Sequence, residues 1–326
     1  MSRTRLALAL LLTLAVATTT WLRSDPGPGG SGPTATIVPI VVPRAQFGPL
    51  TIERAWEIRS GRRHFGGFSA LVVLRDGRFL AGSDTGRKLL FERPDQGATE
   101  AVMSLLERKE PACKGLADLE SLTIDPQTGT VWGGFERSNA IVRFGPDLRP
   151  AARRGPREMR DWKANGGPEA FARLDDGRFL AIEEESLDWA GLRHRAVLFD
   201  RDPVVRAPAR ELIFEGAKGY SPVDLVPLER GRALVLLRDL RLRLPPYFAT
   251  AIGFIDVDMA LETGRIVTRN VAETGQGFPR ENYEGAALTY DGDGGHLWLI
   301  SDDNQMHYQR TLLLKLAWPE RQKARE

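Results

Sequence analysis

A pattern of apolar segments and polar turns recurs five times along the chain. Each copy starts with a small or acidic residue, continues through an apolar segment to a Gly-containing turn, and returns through a second apolar segment that ends at an acidic residue. The copies start 51, 49, 55 and 60 residues apart, at Ser69, Glu120, Glu169, Asp224 and Glu284. This period is typical of propeller blades, and the short apolar segments between Gly, Pro and Asp turns indicate strands.

The two ends of the repeat predict how the ring closes. The last copy lacks a fourth strand, whereas an unassigned strand, residues 50–58, precedes the first copy. Pairing of residues 50–58 with the strand at 311–316 would complete the last blade and leave no open edge. We therefore predict an all-β fold, a five-bladed β-propeller over residues 49–319, followed by a polar tail at 320–326. Six blades would require a cryptic blade after Glu169.

The N-terminal segment has the pattern of an export signal. Residues 1–22 contain a basic start and an uncharged apolar run of 17 residues from Leu6 to Leu22, near the lower limit for crossing a bilayer. A cleaved signal peptide and an uncleaved anchor that tethers the protein to the membrane both fit this pattern. Both place the domain outside the cytoplasm, in the periplasm or secreted. Residues 23–48, rich in Gly and Pro at their start, are expected to be a flexible linker.

Composition excludes some partners. The chain has 45 basic and 43 acidic residues, so it lacks the basic excess that indicates a nucleic-acid-binding protein. Its single cysteine, Cys113, cannot form an intrachain disulfide. We expect a monomer.

Hairpin symmetry predicts where the acidic residues lie. Residues equidistant from a turn face each other in an antiparallel hairpin. This predicts five facing pairs: Ser69 with Asp84, Glu120 with Glu136, Glu169 with Glu184, Asp224 with Asp239, and Glu284 with Asp302 or Asp303. Because the innermost strand of a blade starts where its second strand ends, all five pairs would converge at one mouth of the central channel. Carboxylates this close need cations, protons or a metal ion beside them.

Basic residues precede the copies at a regular distance. They stand six residues before the opening residue, or four in the last copy, at Arg63, Lys114, Lys163, Lys218 and Arg280. A ring of these cations, together with Ser69 and Asp84, would bind a small anionic substrate. The alternative is that the acids and bases pair only with each other and stabilise the fold.

The last copy has the highest density of polar side chains. Glu284, Asp302, Asp303 and Asn304 lie at its strand ends, and with Glu120 and Asp224 they supply hard oxygen ligands. Such a set suits a divalent cation, with Ca²⁺ as the first expectation. A polar turn held by side-chain hydrogen bonds of Asp and Asn is the alternative interpretation.

Three pairs of short motifs resemble a known family. They are residues 66–70 with 83–86, 165–170 with 181–184, and 282–285 with 301–304. In order and spacing they resemble the esterase-like-activity-of-phytase family, also called the phytase-like domain, over about residues 60–318. The resemblance implies an exported β-propeller, and the family name suggests hydrolysis of an ester or phosphoester.

The functional hypothesis combines these residues with metal-assisted hydrolysis. A divalent cation held by Glu284, Asp302 and neighbouring carboxylates would polarise the ester or phosphoryl oxygen, and Glu169 or Glu184 would act as general base. A non-catalytic propeller that binds a ligand or a protein at the same mouth is the competing class. A serine-esterase mechanism ranks third, because the chain has no Gly-x-Ser-x-Gly motif.

Overall fold

A computed structural model describes residues 35–106, 118–244, 246–291, 294–306 and 308–318. Within these ranges the chain forms 23 strands and one α-helix of seven residues. Three strands precede the first repeat: β1 (Ala35–Ile40), β2 (Gln46–Phe47) and β3 (Leu50–Arg59). No helix in the described ranges is long and apolar enough to cross a membrane.

The remaining strands form five antiparallel blades. Blade 1 contains β4 (Phe68–Val73), β5 (Phe79–Ser83), β6 (Arg87–Phe91) and β7 (Glu100–Leu105). Blade 2 contains β8 (Leu119–Ile124), β9 (Val131–Phe135), β10 (Ala140–Phe144) and β11 (Pro150–Arg154). Blade 3 contains β12 (Pro168–Arg173), β13 (Phe179–Ser186), β14 (Arg193–Phe199) and β15 (Ala209–Glu215).

Blades 4 and 5 complete the ring. Blade 4 contains β16 (Ser221–Pro227), β17 (Arg232–Arg241), β18 (Tyr247–Asp256) and β20 (Arg269–Glu273). Between β18 and β20, helix α1 (Val257–Thr263) leads to β19 (Arg265–Val267), which pairs in parallel with β15 at the outer edge of blade 3. Blade 5 contains β21 (Asn282–Asp291), β22 (Gly294–Asp302), β23 (Leu312–Trp318) and the N-terminal strand β3.

Packing between blades explains the apolar segments of the sequence. The innermost strands β4, β8, β12, β16 and β21 each contact the next, and β21 contacts β4. Second strands such as β5 and β9 are buried along their whole length, because each of their faces is covered by a neighbouring blade. They are therefore continuously apolar, whereas the outer strand β11 has no fully buried residue.

The ring closes as the sequence predicts. Strand β3 pairs with β23, with Trp56 opposite Leu313 and Ala55 opposite Leu314. Strand β1 then pairs with β3 on one side and with β7 of blade 1 on the other. The flexible linker expected over residues 23–48 is therefore wrong from residue 35 onward, because an apolar, β-branched segment there covers two open strand edges. Residues 1–34 and 319–326, with the predicted signal and polar tail, lie outside the described ranges.

The predicted facing pairs are wrong by one or more residues. In blade 1, Leu74 and Arg78 enclose a three-residue loop, and Gly77 has the left-handed φ of 86° that this loop requires. The predicted pairing of Ser69 with Asp84 implies a two-residue turn at Asp76 and Gly77 instead. The extra loop residue shifts every pair of the hairpin, so that Ala70 faces Gly82.

A β-bulge at the start of the innermost strand adds a second shift. The bulged residue has no single Cα partner and is, from blade 1 to blade 5, Ser69, Glu120, Glu169, Val223 and Glu284. None of the five predicted pairs is therefore a pair of Cα partners. In blade 4 the bulge falls on Val223 and not on Asp224. Asp224 therefore faces Leu236, and not Asp239 as predicted.

We expect ring closure to dominate stability. Trp56 of β3 is buried and stacks on Trp298 of blade 5 with ring centroids 5.7 Å apart. Trp56→Ala should lower the free energy of unfolding in urea by about 3–5 kcal/mol. Trp189→Ala, at a side chain that is 96% exposed, is the control and should change it by about 0.5 kcal/mol or less. Equal effects of the two substitutions would contradict closure through β3.

Candidate functional site

Carboxylates from four blades meet at one mouth of the central channel. This face carries the starts of the innermost strands and the ends of the second strands. The group, called the acidic mouth below, contains Asp84, Asp118, Glu120, Glu136, Glu169, Glu184, Glu284, Asp302 and Asp303. The predicted convergence of acids at this end of the channel is therefore seen, although the predicted pairing is not.

The bulges direct acidic side chains towards neighbouring blades. Glu120 of blade 2 interacts with Asp84 of blade 1 and Asp302 of blade 5, and Glu169 of blade 3 interacts with Glu120. A bulge re-aims the side chain of its extra residue, which accounts for contacts that regular pairing would not allow. Residues of different blades, 36 to 182 positions apart in the sequence, thus become electrostatic neighbours.

Asp118, Glu120 and Glu136 form the tightest cluster. One carboxylate oxygen from each lies within 4.8 Å of the other two, a spacing that can hold a metal ion. Asp118 is fully buried, and its Oδ2 accepts a hydrogen bond from Nε of Arg137 at 2.6 Å. Removal from water and the nearby Asp118 raise the pKa of Glu136 to about 7. Sequence reasoning used Glu120 as a ligand but did not assign Asp118 or Glu136 to the metal.

Proton binding at the mouth extends to other carboxyl groups. Removal from water and neighbouring carboxylates hold the pKa values of Glu120 and Glu169 well above the usual range. Removal from water raises the pKa of Asp302 to about 8, and repulsion from Asp84 and Asp303 is the second cause. Near neutral pH the mouth therefore keeps protons that ordinary surface carboxyl groups release.

Arg238 is the cation at the centre of this group. Its guanidinium donates hydrogen bonds to Glu184 Oε1 at 2.6 Å and to Asn282 Oδ1 at 3.2 Å, and it also forms an ion pair with Glu284. Sequence reasoning missed Arg238, although its distance from the glycine of the hairpin turn could have identified it. Asp84 and Glu184 each stand seven residues after the left-handed glycine of their hairpin, and Arg238 stands seven residues after Gly231.

The predicted metal ligands of the last copy are engaged in hydrogen bonds. Asp302 Oδ1 accepts from the Asn304 amide at 2.6 Å, and Asp303 Oδ1 accepts from the Gln305 amide at 2.9 Å. Asn304 Nδ2 donates to Gln309 Oε1 at 2.8 Å, and Asn282 Nδ2 donates to Glu284 Oε1 at 2.9 Å. The turn at 302–305 therefore has the hydrogen bonds of the alternative interpretation, a polar turn stabilised by its own side chains.

Asp224 and Ser69 connect blades through backbone groups. The fully buried carboxylate of Asp224 accepts from the Ala286 amide of blade 5 at 2.6 Å and from the Leu225 amide at 2.7 Å. Ser69 Oγ donates to the Leu119 carbonyl of blade 2 at 2.7 Å. The structure thus assigns the predicted metal ligand Asp224 and the predicted substrate contact Ser69 to hydrogen bonds that connect innermost strands of adjacent blades.

Four of the five predicted cations lie in the described residues, and all four are exposed. Arg63, Lys218 and Arg280 are exposed, and Arg280 lies over the Tyr247 ring with its Cζ 4.2 Å from the centroid. Lys163 is exposed and pairs with Glu185 at 2.5 Å, and Lys114 lies outside the described residues. Lys163 and Arg280 therefore engage Glu185 and Tyr247, and the anion site that sequence spacing suggested stays a prediction.

A glycine connector brings backbone close to the acidic mouth. The Gly67 amide donates to Asp303 Oδ1 at 3.2 Å, and the Gly67 carbonyl accepts from the Asp84 amide at 2.9 Å. Gly67 has a φ of 66°, and a Cβ atom there would stand 2.0 Å from Asp84 Oδ1. Only glycine permits this approach without a shift of the predicted substrate contact Asp84.

We predict that stability of the cation-free protein falls as the pH rises. Glu136 and Asp302 keep protons in the folded chain to about pH 7 and about pH 8, whereas they would lose them near pH 4 when unfolded. Their stabilisation is complete below about pH 4 and is lost between about pH 4 and 8. With a chelator present, Glu136→Gln should melt about 2 °C or more above the wild type at pH 8.5, and the difference should shrink towards pH 5.

The matched control for this measurement is Glu57→Gln. Glu57 has a lowered pKa because Arg59 donates a hydrogen bond to it. Its stabilisation is present above about pH 4.5 and is lost below, so its difference from the wild type should stay constant from pH 5 to 8.5. A Glu136→Gln difference that is equally constant would show that Glu136 does not hold a proton at the mouth.

We also predict a pH-dependent role for Arg238. Arg238→Met removes the cation that pairs with Glu184 and Glu284, so the free energy of unfolding in urea should fall by about 3–5 kcal/mol at pH 8. The loss should be smaller at pH 5, because Asp302, whose pKa is about 8 and whose charged form Arg238 also attracts, is neutral there. Arg265→Met breaks the ion pair of an exposed guanidinium with Glu215 and should cost at most about 1 kcal/mol at both pH values. Equal losses for the two variants would contradict a central role for Arg238.

The chain matches one family model and, at low sequence identity, several solved structures. Hydrazine synthase of Kuenenia stuttgartiensis is 11% identical with a TM-score of 0.38, and the match covers 78% of this chain and 62% of that chain. The WD40 β-propeller domain of Doa1 is 11% identical with a TM-score of 0.42, and the match covers 84% of this chain and 99% of that chain. A hypothetical protein from Leishmania major is 12% identical with a TM-score of 0.44, and the match covers 94% of each chain. The search of curated proteins gave no match. The sequence model of the phytase-like family, described as esterase-like activity of phytase, matches residues 63–305. This chain, a five-bladed propeller with an acidic channel mouth, belongs to the phytase-like family.

Proposed function

We propose that this phytase-like propeller hydrolyses an ester or phosphoester with the help of a divalent cation at the acidic mouth. The observation that carries the proposal is the cluster of Asp118, Glu120 and Glu136, whose oxygen atoms lie within 4.8 Å of one another. The raised pKa values of Glu120 and Glu136 add to this argument, because a bound cation would replace the protons that relieve their repulsion.

The donor set fits a hard cation. Carboxylate oxygens are the ligands that Ca²⁺ and Mg²⁺ prefer, and Ca²⁺ tolerates the irregular geometry of three side chains from one hairpin and its connector. Arg137 donates a hydrogen bond to Oδ2 of Asp118, and one oxygen from each of the three residues lies in the cluster. The chemistry supplied by a bound cation would be polarisation of a carbonyl or phosphoryl oxygen and a lowered pKa of bound water.

Protein side chains would supply proton transfer and anion binding. Glu169, expected from the sequence as a general base, has a pKa raised well above its usual range by burial and neighbouring carboxylates. This favours its protonated form and suits it instead to donate a proton to a leaving oxygen. Glu184, the other residue considered as general base, is held in place by a hydrogen bond from Arg238 at 2.6 Å and keeps that proposed role. Arg238 is suited to a carboxylate or phosphate of the substrate, since its planar guanidinium can form paired hydrogen bonds with either group.

A non-catalytic binding propeller is the second candidate. Arg63, Lys163, Lys218 and Arg280, which were expected to hold an anionic substrate, are exposed instead. The mouth therefore has an excess of carboxylates over cations in the described residues, which favours binding of a cation or of a positively charged ligand without turnover. Export to the periplasm or the exterior is part of the proposal in both cases, supported by the apolar run from Leu6 to Leu22.

Cation binding should appear in thermal unfolding. We expect Ca²⁺, and more weakly Mg²⁺ or Mn²⁺, to raise the melting temperature at pH 7.5 in proportion to occupancy. Glu120→Gln and Glu136→Gln should each remove most of the gain, because each deletes one of three charged ligands. Glu211→Gln, which changes an exposed carboxylate away from the mouth, is the control and should keep the full gain.

Hydrolysis separates the two candidates. Model carboxyl esters and phosphomonoesters should be hydrolysed in the presence of the cation that raises the melting temperature, and Glu169→Gln should lower kcat about 100-fold or more with that thermal gain retained. A thermal gain without hydrolysis would support the binding propeller. If none of the three cations changes the melting temperature and no model ester is hydrolysed, the metal-hydrolase proposal is wrong.

A further inference from the structure

Two hairpins of neighbouring blades end in exposed apolar side chains. The β13–β14 hairpin of blade 3 carries Leu187, Trp189 and Leu192 at its tip, and the β17–β18 hairpin of blade 4 carries Leu240, Leu242 and Leu244. Trp189 is 96% exposed and Leu244 is 93% exposed, whereas the other described tryptophans are at most 5% exposed. Such a concentration of large apolar side chains on the surface of a folded domain marks an interaction site.

The two tips lie side by side on the face of the acidic mouth. Glu184 and Arg238 belong to the mouth, and β13 and β17 continue from them to the tips. The connector that leads into blade 4 touches both hairpins. Its Gly219 amide donates to the Ala190 carbonyl at 3.0 Å, and its Tyr220 hydroxyl accepts from Arg241 Nη2 at 3.2 Å. The tips therefore present one surface, defined here as residues 187–192 and 240–244.

Positive charge surrounds this surface. Lys218, Arg243 and Arg280 are exposed beside the tips. The acids of the two hairpins are engaged, since Asp188 pairs with Arg193 at 2.9 Å and Asp239 pairs with Arg241 at 2.7 Å. Glu273 interacts with Tyr220 and Arg241. The outward charges are therefore mainly cationic, which favours an anionic partner.

The course of the chain favours a lipid bilayer as that partner. Thr36 at the start of β1 pairs with Arg59 at the end of β3, and the chain from Arg59 leads directly to the mouth end of β4. Residue 35 therefore enters the domain from the mouth face. The apolar run that ends at Leu22 is separated from it by 12 residues, which can span at most about 40 Å. A membrane-bound N-terminal segment would hold this face near the bilayer.

We propose that the tips of blades 3 and 4 dock the mouth face on an anionic lipid bilayer. Trp189, Leu242 and Leu244 would enter the interfacial region, where tryptophan is enriched in membrane proteins. Lys218, Arg243 and Arg280 would contact the negatively charged headgroups, each contributing about fivefold to the partition coefficient. This inference is independent of the proposed hydrolysis, because it uses no residue of the acidic mouth.

Fluorescence quenching can test this contact in the full-length chain. The reporter protein carries Trp21→Phe, which silences the tryptophan of the N-terminal segment and leaves Trp189 as the exposed tryptophan of the described residues. Vesicles of phosphatidylglycerol and phosphatidylcholine with brominated acyl chains should quench its emission, whereas vesicles of phosphatidylcholine alone should quench it several-fold less. Adding Trp189→Phe should remove the quenching. Adding Leu242→Asn and Leu244→Asn should lower it several-fold, and Lys218→Gln with Arg243→Gln should raise the lipid concentration at half-maximal quenching.

Two outcomes would overturn the proposal. The first is a reporter that sediments with the anionic vesicles but shows no more quenching than the Trp189→Phe form, because the N-terminal segment would then be the sole contact. The second is a concentration-dependent dimer, formed without lipid and abolished by Leu242→Asn with Leu244→Asn, which would assign the surface to a second copy of the chain. The substituted side chains are exposed, so each variant should keep the melting temperature of the reporter.

Discussion

Ring closure brings carboxylates from four blades close together, where they repel one another. Other groups at the channel mouth compensate this repulsion. Strand β3 completes blade 5, and the contact of β21 with β4 brings all five innermost strands around one axis. Each innermost strand starts at the same face, so the residues at the strand starts share one small space. Acidic residues at three of these positions, Glu120, Glu169 and Glu284, would be harmless on separate hairpins. In a closed ring they need compensation by positive charge.

The chain compensates in two ways. Arg238 supplies a cation in blade 4, at the place where the other blades carry Asp84, Glu136, Glu184 and Asp302. Protons supply the rest, as the pKa of about 7 for Glu136 and about 8 for Asp302 indicates. A divalent cation would be a third way, and it would compete with the protons for the same oxygens. Carboxylates that are close together and removed from water can be neutralised either by protons or by a bound cation.

The mouth and its surroundings have different chemistry. Inside, carboxylates outnumber cations and are shielded from water. Outside, the extended hairpins of blades 3 and 4 carry leucines, Trp189 and exposed basic residues. The propeller permits this separation because loops beyond the second strand do not take part in blade packing. Their side chains are free of the packing constraint that makes β5 and β9 continuously apolar. One face can therefore carry an acidic centre and a basic, apolar surround.

The sequence by itself determined the blade period, the all-β class, ring closure by residues 50–58 and the end of the channel where the acids gather. The first two follow from apolar periodicity, which is local. The last two follow from the need to pair every strand edge and from the common direction of the innermost strands. Only the tertiary structure decided the register, because the left-handed Gly77 loop and the bulges each add a residue that spacing cannot reveal. It placed Arg238 rather than Asp239 at the mouth and paired Lys163 with Glu185, because side-chain direction depends on backbone conformation and not on distance along the chain.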